Sequence, residues 1–135
     1  MTDVRQSRPS APLWTVALAG ATALVYWAFL GWDQHKDIDP VTGAQTGPYQ
    51  AWQVIGLGLV LALLVFEAGR RGRPLLASLV VSVVLTVSFG VDAATDADSD
   101  GLWPIGTALV AIGSLFGTGV VAGIGALLGR RRRAR

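Results

Sequence analysis

The chain contains no cysteine, and among its 135 residues it has one histidine, one lysine and one glutamate. The missing thiols exclude disulfides, thiolate metal centres, cysteine nucleophiles and lipid attachment through cysteine. A solitary His35 cannot form a histidine cluster for a transition metal, and a lone exposed histidine is more often solvated than ligating. Charge is scarce as well: 15% of residues are charged, against about a quarter in soluble domains. Apolar residues make up 52% of the chain and mean hydropathy is +0.51. That balance belongs to the membrane class.

What the chain does have is four long apolar runs, at 13–32, 51–68, 75–91 and 103–129. Each reaches the ~17 residues at which an α-helix begins to span a hydrocarbon core. Backbone groups cannot stay unpaired in lipid, so helices are the expected form. The third run is the shortest and carries hydroxyls, so it should lean on its neighbours. The predicted fold is all-α, an integral membrane bundle of four transmembrane helices. An N-terminal segment (1–12) precedes it, two loops (33–50 and 92–102) and a tight turn (69–74) connect it, and a basic tail (130–135) ends it. Arg5 and Arg8 ahead of the first run, with Ala17-Leu18-Ala19 inside it, resemble the start of a secretory signal. The run continues to Trp32, too long for the apolar core of a cleaved signal.

Orientation follows from the arginines. All ten fall on one side of a four-span topology, opposed only by Asp3 and Glu67; the other side carries seven aspartates against Lys36. Short basic segments stay in the cytoplasm, which predicts both termini inside. Residue usage rich in Ala, Gly and Arg is what a high-GC genome produces, and the expected location is a bacterial plasma membrane. Tyr26, Trp27, Trp32, Tyr49, Trp52 and Trp103 collect toward the outer ends of the runs and Trp14 marks the inner one, as an aromatic belt would. Asp39-Pro40, Thr42-Gly43 and Gly47-Pro48 are turn signals in the first outer loop, and Pro48 suits a helix start.

Three patterns carry candidate chemistry. In the second outer loop Asp96, Asp98 and Asp100 alternate and a glycine follows, like the first half of a calcium loop. The twelfth position, where a bidentate Glu belongs, is Thr107, inside the fourth run. Weak calcium binding on an outer face is the strongest metal reading this permits; a solvated acidic loop is the simpler one. The second pattern is hydroxyls at helical spacing: Ser78, Ser82 and Thr86 in the third run, and Thr107, Ser114 and Thr118 in the fourth. These suit interhelical hydrogen bonds better than a polar path. The third is glycine pairs four residues apart, Gly113 with Gly117 and Gly119 with Gly123, on different faces of the fourth helix. One face would serve the bundle and the other a further subunit or partner.

Glu67 precedes Arg70 and Arg71 by three and four residues, the spacing of ion pairs on one helix face. Asp92 is placed where the third helix meets the outer water. No carboxylate is then left deep in the membrane, which weighs against a proton- or ion-coupled transporter. The closing arginines suit topology and anionic headgroups, and they lack the aromatic or groove-reading elements of nucleic-acid binding. The favoured function is a small non-enzymatic membrane protein, an accessory subunit or self-associating scaffold whose partners are the bilayer and other membrane helices. No cofactor is expected beyond weak calcium. A small transporter or channel lined by the hydroxyl stripes is the first alternative. A membrane enzyme using the outer carboxylates ranks last, because no nucleophile–base pair is visible.

Overall fold

The computed structural model describes residues 11–31, 38–44, 51–96 and 101–135. They form four helices: α1 (Ala11–Leu30), α2 (Ala51–Arg70), α3 (Pro74–Thr95) and α4 (Trp103–Arg133). All four are long and apolar enough to cross a bilayer, which makes this a multi-pass membrane protein. No strand occurs among the described residues.

The α2–α3 turn shows how local chemistry sets the architecture. Arg73 N–H donates to Ala68 O at 3.1 Å and Gly72 N–H donates to Gly69 O at 3.0 Å. This paired closure needs a left-handed residue, and Gly72 supplies it with φ +87°. Pro74 then opens α3 in the first turn, where its missing N–H costs nothing. The reversal takes three residues, so α2 and α3 are antiparallel neighbours.

α2 and α3 form the middle of a diamond. α1 packs against both on one flank, and α4 packs against both on the other without touching α1. Trp14 near the start of α1 meets Arg71 and Arg73 beyond α2, while Tyr26 near the end of α1 meets Asp92 near the end of α3. Gly129 near the end of α4 lies on Arg70 at the end of α2. The four helices therefore run up, down, up, down. Residues 11 and 135 share one end, called here the arginine end; the turn at 38–44 and Asp96 mark the opposite, acidic end. The core is drawn mainly from α1, α2 and α3: Leu18, Tyr26, Leu30, Leu57, Leu61, Val65, Ala77 and Val81, with Ala122 from α4.

Helix bounds exceed the apolar runs where polar residues continue the helix. α3 reaches Thr95, whose hydroxyl donates to Val91 O at 2.8 Å. α4 runs through the arginines to Arg133, so most of the basic tail is helical. Arginine is a good helix former, and cations are favourable at a helix C-terminus. At 31 residues α4 is about 46 Å long, some 13 Å longer than the 22-residue α3.

Candidate functional site

The seam between α3 and α4 is held by hydroxyls. Ser78 Oγ and Ser82 Oγ lie 2.9 and 3.1 Å from Thr118 Oγ1, and Thr118 Oγ1 donates to Ser114 O at 2.6 Å. A hydroxyl has one proton and two lone pairs. With its proton on Ser114 O, Thr118 accepts from both serines, and its capacity is filled. Thr86 takes no part in this cluster. It lines, with Ser82, Leu79, Val83, Ala111 and Leu115, a shallow apolar groove of about 280 Å³ along the same seam.

The glycines of α4 divide by face. Cβ atoms added at Gly125 and Gly129 would collide with the carbonyl oxygens of Phe66 and Arg70, and one at Gly69 would collide with that of Ala122. Here α2 and α4 lie backbone against backbone, a contact only glycine permits. The pairs singled out by the sequence are placed otherwise. A Cβ at Gly113, Gly117 or Gly123 meets nothing within 4 Å, and one at Gly119 stands 3.7 Å from Ser78 Oγ. Successive pairs are offset by six residues, which turns each about 120° from the last. Gly125 and Gly129 lie on α2, Gly119 borders α3, and Gly113 and Gly117 face neither. Ser114, Thr118 and Ala122 share the face of Gly125 and Gly129, and that continuous row of small residues was the signal for the packed face.

Asp92 corrects the sequence reading. It is buried at 6% exposure and accepts a 3.2 Å hydrogen bond from the Tyr26 hydroxyl, itself 1% exposed. Because α3 continues to Thr95, the carboxylate sits within the last turn, among helices rather than at the water's edge. Thr22 and Gln53 are also fully buried, and Thr22 donates to Leu18 O at 2.8 Å. Leu18, Thr22 and Tyr26 follow one another at four-residue steps, a stripe on α1 that could have been read from the sequence. Gln53 had no such signal.

At the acidic end, Asp39 organises a turn. Its Oδ1 accepts from Val41 N–H at 2.9 Å, its carbonyl accepts from Gly43 N–H at 2.8 Å, and Gly43 has φ +67°. The Val41 N–H, and next the Thr42 hydroxyl, hold the Asp39 carboxyl below its usual range. Asp96 is exposed immediately beyond α3; Asp98, Asp100 and His35 lie outside the described residues. No group of three metal-ligating side chains occurs among the described residues.

The arginine end gathers Arg70 at the end of α2 and Arg71 and Arg73 of the turn with Arg130, Arg131, Arg132 and Arg133 of α4 and Arg135 just beyond it. Glu67 pairs with Arg70 at 3.1 Å and Arg71 at 2.9 Å. The guanidiniums of Arg71 and Arg73 lie 5.6 and 5.9 Å from the Trp14 ring centre, which ties α1 to the turn.

Comparison with family models, with curated proteins and with solved structures finds no match for this chain.

Proposed function

We propose that the chain is a small non-enzymatic membrane protein that works through its helix faces, a self-associating scaffold or accessory subunit of a bacterial plasma membrane with both termini cytoplasmic. The observation that carries this reading is the outward side of α4. Of its apolar span 11% is buried within the chain, against 33% for α2. Gly113 and Gly117 lie exposed near the middle of that span with open space before them. Small residues let a second helix approach closely, and in lipid that packing drives association. The hydroxyls of Ser78, Ser82 and Thr118 support the same reading, because they bond one another instead of lining a wet path.

The experiment is single-molecule photobleaching in native-lipid bilayers. The wild type should show bleaching steps for two or more copies, and Gly113→Leu with Gly117→Leu should shift the distribution to single steps. Equal distributions would remove α4 as the associating face. Orientation is tested separately: in intact cells an impermeant maleimide should label Ala44→Cys and spare Gly72→Cys, and the opposite pattern would reverse the topology.

A second reading rests on Asp92. An ionisable side chain inside a bundle of spanning helices often serves a proton or ion path. On that reading the chain is a small transporter, with Asp92 and Tyr26 replacing the Ser/Thr stripes as its working groups. Proton or cation flux in liposomes that disappears in Asp92→Asn would favour it over the scaffold.

A further inference from the structure

We infer that the cleft between the α2–α3 turn and the end of α4 is a binding site for the phosphate group of an anionic phospholipid. Its walls are Arg70, Arg130 and Arg133, with Gly72, Gly129 and Pro74 between them, around a space of about 240 Å³. A single water needs about 10–15 Å³, so a phosphodiester has ample room. Gly72 and Gly129 leave the floor without side chains. Arg133 reaches over that floor, since a Cβ at Gly72 would stand 3.9 Å from its Nη1.

Charge and position together select the ligand. Among the described residues Glu67 is the only acidic side chain at this end, and its ion pairs are with Arg70 and Arg71. Arg130 and Arg133 stand one turn apart on α4, and both line the cleft. Guanidinium forks match phosphate oxygens in pairs. Pro74 begins α3 here, but the C-terminal ends of α2 and α4 offset the positive end of that helix dipole, so the arginines supply the field. The cleft stands at the ends of four spanning helices, at headgroup depth. Beside it a second cleft shares Arg70 and is lined by Arg131, Arg132 and Arg135 together with Phe66 and Leu128, whose apolar side chains offer contact to an acyl chain. A phosphate tethered to hydrocarbon satisfies both surfaces, and a free phosphate satisfies one. The inference is independent of self-association, because the cleft is complete within one chain.

The test is native mass spectrometry of the detergent-purified full chain, titrated with phosphatidylglycerol, with phosphatidylcholine and with inorganic phosphate. Phosphatidylglycerol should be retained, and the other two should not. Each arginine at a membrane surface contributes about 1 kcal/mol, so Arg130→Gln with Arg133→Gln should weaken phosphatidylglycerol binding about 30-fold. Arg71→Gln with Arg73→Gln removes the same charge from the side of this end that meets Trp14, outside the lining of both clefts, and should weaken it less than about fivefold. Arg130→Lys with Arg133→Lys keeps charge and helix, and should bind within about tenfold of the wild type. Equal losses in the two glutamine doubles would mean diffuse surface charge and overturn the site. Retention of inorganic phosphate as well as of the lipid would overturn the lipid assignment, and loss in the lysine double as deep as in the glutamine double would overturn the electrostatic account.

Discussion

At the arginine end, α4 lies on α2 with no side chain between them: Gly125 and Gly129 face the carbonyls of Phe66 and Arg70, and Gly69 faces that of Ala122. At the acidic end the helices meet through side chains. A Cβ at Gly90 would stand 3.3 Å from Thr107 Cγ2, one at Gly106 would stand 3.4 Å from the Phe89 ring, and Tyr26 spans from α1 to Asp92. Glycine serves both ends in different ways. At one end it brings backbones together; at the other it makes room for a neighbour's ring or methyl. The first arrangement fixes helix separation rigidly, because a backbone cannot move aside for an added methyl group, whereas a side chain can rotate.

The largest effect should therefore follow substitution at the arginine end. Gly125→Leu or Gly129→Leu forces α4 away from α2 and should cost about 1–3 kcal/mol or more, measured by unfolding in mixed micelles. Leucine at Gly106 should cost less, since the Phe89 ring can turn. Similar costs at the two positions would break the contrast between the ends.

Tyr26→Phe comes next. It leaves the Asp92 carboxylate without its phenol donor, a loss of about 1–3 kcal/mol by the same measurement. Combining it with Asp92→Leu should cost less than the sum of the two single losses, because the two residues share one hydrogen bond. Additive losses would show that the bond contributes little at this end.

Thr118→Val probes the seam between the two ends and should cost about 0.6 kcal/mol, at most about 1.7, because two serines lose one acceptor. The smallest effect lies beyond the helices. The folded Asp39 carboxyl is held below its ordinary value, so its support for the 38–44 turn is complete above that value and is lost as pH falls through the lowered one. Amide protection at Val41 and Gly43, taken relative to the intrinsic exchange rate at each pH, should fall below about pH 4 while the helices stay protected. Unchanged protection would mean that the turn does not depend on the carboxylate.

The helices were legible because lipid permits few alternatives to a 17-residue apolar run. The α2–α3 turn was legible too, since Gly72 and Pro74 are chemically suited to one closure. The faces were harder. Gly113/Gly117 and Gly125/Gly129 have identical spacing, and spacing does not say which neighbour is present. The difference lies in the row Ser114, Thr118, Ala122, Gly125 and Gly129, which continues one face for four turns, whereas Gly113 and Gly117 are followed on theirs by Val120 and Ile124. Asp92 was misplaced because hydropathy ends a helix where the first charge appears, and hydrogen bonding extends it to Thr95.

Cysteine scanning along α4 tests the central claim, that this helix turns one glycine face to α2 and another to a second copy. The absence of native cysteine makes each single-cysteine variant unambiguous. In native membranes under mild oxidation, disulfide-linked dimers should peak at Gly113, Gly117, Val120 and Ile124, positions on one side of the helix, and should be absent at Gly125 and Gly129. A flat profile, or a maximum at Gly125 and Gly129, would contradict the account.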